Sequence, residues 1–389
     1  MSSCQLVRIG EFCTIGSGST PSREKAERYF RHGRIPWVKS GELRETVIVD
    51  TEEHVTEVAL EETSVKLIPA GALLLAMYGA TVGRLGILGV EATTNQAVCH
   101  LIPDPKSADV RYLFHALQAR VEQIVARGVG GAQPNISQGV VKDLLVPLPV
   151  LAEQRRIAAI LDKADELRAK RRAALIQLDK LTESLFVDLF GDPAMNSKGW
   201  PVQPFESEIT SVRYGTGSPP EYVSEGHPFI RATNVKAGTI SPKDLKRVPQ
   251  SEAERLEKCK IRSGDLIIVR SGVNTGDCAL IPPEYDKAYA AFDLVVQLPF
   301  SSAVFYNFLI NSQYGKRVLA PLTRRAAQPH LNAEQLKSLQ FISPPKRLRE
   351  RFADGVAVIE KMKLKHRLSL TELGRLFLSL QHRAFRGEL

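Results

Sequence analysis

The chain has 389 residues, of which 43% are hydrophobic and 24% charged, and it carries a net charge of +9 from 52 Lys+Arg against 43 Asp+Glu. That length gives room for two or three domains, and the composition excludes wholesale disorder, collagen and a small disulfide scaffold. No apolar run approaches the roughly 18 residues of a membrane span, so no membrane partner is expected.

The N-terminus has no basic patch followed by an apolar core, so no signal peptide is expected. The five cysteines are odd in number and no pair has CxxC spacing. They read as reduced thiols of a cytoplasmic protein without a structural zinc. The basic excess fits a polyanion partner but does not decide for one.

In chain order, residues 72–77 form a short apolar run bounded by glycine, which predicts a buried strand. Gly79-Ala80-Thr81-Val82-Gly83 follows as a turn, whose backbone N–H groups could face a phosphate near Arg84. A second strand is predicted over 98–102 and a helix over 111–126, with apolar spacing at Leu113, Leu117, Val121 and Ile124. After the loop Gly131-Ala132-Gln133-Pro134-Asn135 and the phrase Pro147-Leu148-Pro149, a polar, glycine-poor stretch predicts a helix of about 39 residues ending at Gly191-Asp192-Pro193.

The pattern then repeats. Ile261 to Ile268 returns Ile68 to Leu75, Ser271 to Gly276 returns the glycine turn, and Gln328-Pro329 returns Gln133-Pro134. Strands are predicted over 265–270 and 294–298, a helix over 304–319, and a second long helix after Pro344-Pro345. Order is kept throughout, so the chain is one plan written twice.

Each long helix carries one narrow apolar stripe. In the first it runs through Ile157, Ile160, Ala164, Leu167, Leu175, Leu178, Leu181, Leu185 and Leu189. In the second it runs through Phe352, Val356, Ile359, Met362, Leu370, Leu373, Phe377 and Leu380, and Arg171 and His366 interrupt the two stripes. A lone helix of that kind is not stable in water. The two are expected to pack antiparallel on each other; the alternative is that each packs on its own globular block.

Catalytic constellations are absent. Ser218-Pro219-Pro220 is followed by Glu221 and Ser343-Pro344-Pro345 by Lys346, so neither offers the aromatic that stacks on a flipped base. There is no GxGxxG, no Walker lysine and no HExxH. Recognition chemistry is present instead, because Arg, Asn and Gln read base edges and Ser, Thr and Lys hold phosphates. The candidates are Lys39, Ser40, Tyr78, Thr81, Arg84, Asn95, Gln96, Gln133 and Asn135 in the first half. In the second half they are Tyr214, Arg231, Thr233, Asn234, Arg270, Asn274, Thr275, Arg324, Arg325 and Gln328. A solvated or capping role competes at each one. The framework repeats while the loop residues differ, so two copies of one scaffold should read two sequences.

Several phrases resemble one family. They are Gly79 to Gly83 after the buried strand, Gln133-Pro134-Asn135-Ile136-Ser137, Val146 to Pro149 followed by Glu153-Gln154-Arg155-Arg156-Ile157, and Phe186 to Pro193 followed by Gly199-Trp200-Pro201. With the layout of block, long helix, block, long helix, the chain resembles the specificity subunit of type I restriction-modification enzymes. Lys346 to Phe352 lacks the Glu-Gln-Arg phrase, and Ala327-Gln328-Pro329-His330 departs from the loop motif.

The resemblance implies an α+β fold. Target-recognition domains at 1–150 and 205–345 would be joined by spacer helices at 151–191 and 346–389, with a linker at 192–204. The helices would pack as an antiparallel coiled coil with pseudo-twofold symmetry and fix the gap between half-sites. It implies a non-catalytic subunit reading a bipartite, asymmetric target in double-stranded DNA. Two methyltransferase subunits and two motor-nuclease subunits would join it, and these partners would hold S-adenosylmethionine, ATP and magnesium. Arg155, Arg156, Arg168 and Arg171 are expected at the methyltransferase contact. Three alternatives stay open: a self-contained methyltransferase or nuclease, a subunit whose single partner both methylates and cleaves, and a two-headed bridging protein.

Overall fold

The computed structural model describes residues 5–128, 135–236, 238–323 and 330–389. It has the mixed α+β architecture expected, with two long helices, Leu151–Phe190 and Lys346–Ala384. Contacts divide the chain into two units, Met1–Arg172 with Leu368–Leu389, and Ala173–Arg367. Each unit therefore holds one globular block and a portion of both long helices.

In the first unit, a five-stranded sheet has the order Cys13–Ser17, Val98–Pro103, Leu73–Ala76, Leu85–Leu88, Val47–Ile48. All neighbours are antiparallel except the last pair. Leu73–Ala76 is buried throughout, as a central strand covered on both faces must be. A smaller sheet sets Ile35–Val38 between His54–Val55 and Thr93–Thr94. Leu6–Arg8 pairs with Leu145–Pro147, closing the block and delivering the chain to the long helix.

The second unit repeats this plan. Leu266–Ile268 lies between Leu294–Gln297 and Cys278–Leu280, with Ser211–Tyr214 at the edge. His227–Ile230 lies between Lys246–Val248 and Tyr289–Ala290. Val202–Pro204 pairs with Gln340–Ile342 as the closing strands. A shared close approach marks the duplication. A Cβ at Gly18 would stand 2.0 Å from the Thr94 carbonyl oxygen, and one at Gly215 would stand 1.8 Å from that of Ala291. Only glycine fits either position.

The single helices expected over 111–126 and 304–319 are each two. The first is Val110–Gln118 followed by Val121–Ala126. Arg120 leaves helical geometry at the break (φ −120°, ψ 6°), and its guanidinium donates to the Ala116 carbonyl. The second is Phe300–Asn311 followed by Gln313–Thr323. Ser312 is extended between them; its hydroxyl donates to the Leu309 carbonyl at 2.6 Å and accepts from the Gly315 N–H at 3.2 Å. Serine here competes with the helix ladder and caps the next helix, which apolar spacing alone does not reveal.

The long helices are fixed to each block by dense local contacts. In the first unit Ile157, Leu161 and Ala164 join Phe377 and Ala384 in the core around Tyr112 and Phe114. Here the first helix buries Leu161 fully, whereas Leu167 of the expected stripe is exposed. Gln154 is completely buried: its amide accepts from the Asp109 N–H at 2.9 Å and donates to the Ser107 and Pro149 carbonyls at 2.9 and 2.8 Å. Asp162 receives Arg111 and the fully buried His115. Burial opposes its charge, but those hydrogen bonds outweigh it and hold the carboxyl down at about 2.

In the second unit Phe186 and Phe190 of the first helix meet Phe352 of the second and Phe305 of the block, with ring centroids 4.8–5.7 Å apart. Gly191 then ends the helix with φ +74°, and the Trp200 indole donates to the Phe190 carbonyl at 2.9 Å. Leu181 and Met362, both expected in the stripes, are exposed. Lys363 is buried beside Met362 and pairs with Asp179 and Glu360 at 2.7 and 2.8 Å. Within each unit the two helices run antiparallel. Arg168 lies over Phe377 and Arg156 reaches the Leu389 carbonyl in the first unit, while Lys363 meets Asp179 in the second.

Cys13, Cys99, Cys259 and Cys278 are free thiols. Among the described residues no helix is long and apolar enough to cross a membrane, and no three His, Cys, Asp or Glu side chains group as metal ligands.

Candidate nucleic-acid interface

Backbone hydrogen bonds draw several loop candidates of the first unit to one place. The Asn95 N–H donates to the Val38 carbonyl at 3.0 Å, Met77 to Ala97 at 2.8 Å, and Ile136 to Met77 at 2.8 Å. Lys39, Tyr78, Asn95, Gln96 and Asn135 therefore leave neighbouring chain segments together. The second unit builds the equivalent place. The Ala291 N–H donates to the Ile230 carbonyl at 2.8 Å, Leu331 to Arg270 at 2.7 Å, and Ala333 to the Tyr214 hydroxyl at 2.9 Å. This gathers Arg231, Arg270, Phe292, His330 and Tyr214.

Equivalent positions hold different side chains. Lys39 corresponds to Arg231, Met77 to Arg270, Tyr78 to Ser271, and Gln96 to Phe292. The first pair shares one device. The Lys39 N–H donates to Glu42 Oε2 at 2.7 Å, and the Arg231 N–H donates to Asn234 Oδ1 at 3.1 Å. Each cation is then neutralised nearby. Lys39 Nζ lies 3.0 Å from both Glu52 and Glu53, which raise its pKa. Arg231 lies 2.8 Å from Asp244, whose carboxyl Lys246 and Arg231 hold down at about 2.

Asn234 departs from its expected role as a base reader. It is completely buried, and its amide is spent on the Arg231 N–H and on the Ser241 and Lys243 carbonyls, both at 3.1 Å. It holds the loop that carries Thr233, which is exposed. Arg270 is also buried, lying 4.9 Å from the Tyr214 ring centroid and 3.9 Å from that of Phe292, and its Nη2 donates to His330 Nε2 at 2.5 Å.

The last N–H groups of each glycine turn are spent within the turn. In the first, the N–H groups of Val82, Gly83 and Arg84 donate to Gly79, Ala76 and Thr81. In the second, those of Thr275, Gly276 and Asp277 donate to Gly272, Val269 and Asn274. Gly83 and Gly276 have φ of +84° and +91°, so the shared glycine serves the bend. The turns still present side chains, with Arg84 exposed and Thr81, Asn274 and Thr275 half-buried.

Of the remaining candidates, Gln96 and Asn135 are exposed, while Ser40, Tyr78 and Asn95 are half-buried. The Asn95 side chain accepts from the Ala97 N–H at 3.2 Å, and Gln96 accepts from the Thr20 hydroxyl. Gln133, Arg324, Arg325 and Gln328 lie outside the described residues. Of the helix arginines, Arg155 is exposed; Arg156 is exposed and pairs with Glu153 at 2.8 Å. Arg168 pairs with Asp165 at 2.6 Å, with its guanidinium 4.5 Å from the Phe377 ring centroid, and Arg171 is half-buried.

A family model described as the type I restriction modification DNA specificity domain matches residues 1–177. Beyond those residues, the likeness extends along the chain. The EcoKI specificity subunit of Escherichia coli K12 is 23% identical over 99% of this chain and 89% of its own length. The EcoR124I/EcoR124II specificity subunit of Escherichia coli is 31% identical over 41% of this chain, and the match spans 40% of that relative's length. The fold is shared with a type I restriction-modification system S subunit from M. genitalium, at a TM-score of 0.62 and 15% identity over 98% of this chain and 96% of that one. The resemblance read from the sequence phrases is borne out.

Sequence reasoning missed three residues of consequence. Glu42 sits three residues after Lys39, where Asn234 follows Arg231, so aligning the halves would have exposed it. Gln154 is the buried centre of the Glu-Gln-Arg phrase. Phe292 is a half-exposed aromatic standing where the first half has Gln96.

Proposed function

We propose that this chain is the DNA specificity subunit of a type I restriction-modification complex, with each globular block reading one half of a bipartite, asymmetric target. The observation that carries the reading is the same gathering of loops built twice with different side chains: Tyr78 against Ser271, and Gln96 against Phe292. One framework holds position while the exposed groups set the sequence.

The subunit is non-catalytic and works in the cytoplasm. Two methyltransferase subunits supply S-adenosylmethionine and flip the adenine, and two motor-nuclease subunits use ATP and magnesium. The methyltransferase docks on the long helices. This is supported by apolar side chains left exposed there: Ile176, Leu181 and Val187 on the first helix, and Val358, Met362 and Leu364 on the second. Exposed apolar residues in such number mark a contact surface.

The test is the adenine methylome of the source cell with the gene intact and deleted. Deletion is expected to remove one bipartite, asymmetric motif, and exchanging residues 1–150 for those of a relative with another target should change one half of that motif only. An unchanged methylome, in cells where the intact gene is expressed, rejects the reading.

A further inference from the structure

Phe292 stands out among the exposed side chains of the second unit. Its relative exposure is 47%, although aromatic rings of this size are usually put away. The ring is nevertheless held. The Arg270 guanidinium lies 3.9 Å from its centroid, and the Tyr214 ring lies 5.9 Å away at an interplanar angle of 35°. Arg270 is itself buried and anchored through His330. Gly217 lies alongside, where a Cβ would stand 3.6 Å from the ring, so the glycine leaves that flank uncovered. An apolar group fixed from below and open to solvent is prepared to meet a ligand without first ordering itself.

Its place in the fold says what the ligand is. Phe292 follows strand Tyr289–Ala290 as Gln96 follows strand Thr93–Thr94. Both sit at the loop gathering assigned above to reading bases. Glutamine has the donor–acceptor pair that suits adenine, whereas a phenyl ring can make no hydrogen bond to a base edge. The one apolar feature that the major groove displays is the thymine C5-methyl group. We infer that Phe292 is a specificity-determining residue of the second block, contacting the methyl group of one thymine in its half-site. Arg270 acts through it as a positioning residue. The inference rests on the proposed DNA-reading function.

The test uses the chain assembled with its methyltransferase partner on the duplex that the methylome defines. Each thymine of the half-site read by the second block is replaced in turn by deoxyuridine, which removes only the methyl group. At one position this should weaken binding about fourfold, the value of one buried methyl-sized group. Phe292→Ala should bind the thymine duplex about fourfold more weakly and lose all discrimination at that position, while Phe292→Leu keeps part of it. Deoxyuridine in the other half-site should affect native and variant complexes equally. For Arg270→Lys the readout is the thymine-to-uracil ratio, expected to fall towards one, rather than affinity.

The inference is overturned if no thymine of that half-site is sensitive, if the half-site holds no thymine, or if Phe292→Ala retains the discrimination. The deoxyuridine series on the native complex decides even if a variant fails to fold. Absence of any sequence-specific binding by the native complex would instead reject the function on which the inference rests.

Discussion

Asn234 and Gln96 were equal candidates as sequence, since both are amide side chains in loops rich in polar residues. The structure separates them by burial. Asn234 is sealed under its own loop, whereas Gln96 is exposed. No local signal distinguishes a capping amide from a reading one, because the same donor–acceptor pair serves both. Beside Arg270 lies Asp293, which burial pushes up to about 6 against the Arg270 N–H and its charge. Above about pH 4 the unfolded chain gives up this proton, while the folded chain keeps it until about pH 6. The second unit therefore loses stability from this group as pH rises through that window, and no further beyond it. Asp293→Asn should accordingly gain on the order of 1–3 kcal/mol over the native chain at neutral pH and almost nothing below about pH 4. Melting curves at both pH values check this, and equal differences would reject it.

At the scale of elements, what could be read from sequence was whatever periodicity and punctuation carry. The buried strands around Leu73 and Leu266, the long helices and the stop at Gly191 all follow from apolar runs, glycine and proline. The breaks at Arg120 and Ser312 were hidden, because apolar spacing continues across them. The stripes were half legible. They predicted Leu181 and Met362 inside, yet the structure buries Leu161 and Lys363, since register between helices is set by three-dimensional packing. Gln154 shows how a motif earns its place. Gln154→Ala would leave two carbonyls and one N–H without their partner at the root of the first long helix, costing about 2–3 kcal/mol in chemical denaturation. In the second half Arg349 stands at this place and pairs with Glu208 at 2.6 Å, so the lost Glu-Gln-Arg phrase is a change of clamp. For the outer helix surface, Ile176→Asp with Val358→Asp should change stability by no more than about 0.5 kcal/mol each. Co-purification with the methyltransferase should nevertheless fall at least tenfold; full retention would remove that surface from the docking site.

At the scale of the molecule, the duplication was the most readable feature, because order and spacing survive even where side chains do not. What sequence order concealed is how the units are made up. The second unit is one continuous stretch, Ala173–Arg367, whereas the first combines Met1–Arg172 with Leu368–Leu389. Phe377 and Ala384 lie in the core with Leu161 and Tyr112, and the Leu389 carbonyl receives Arg156. A chain emerging from the ribosome normally folds its leading domain first. Here the leading block must wait, with Ile157, Ala158 and Leu161 lacking their last neighbours, until more than half of the protein has followed it out. The trailing block can close as soon as its own stretch is complete. Birth order and completion order are thus reversed, and for the length of one translation event the leading block is the part most exposed to aggregation and to chaperones.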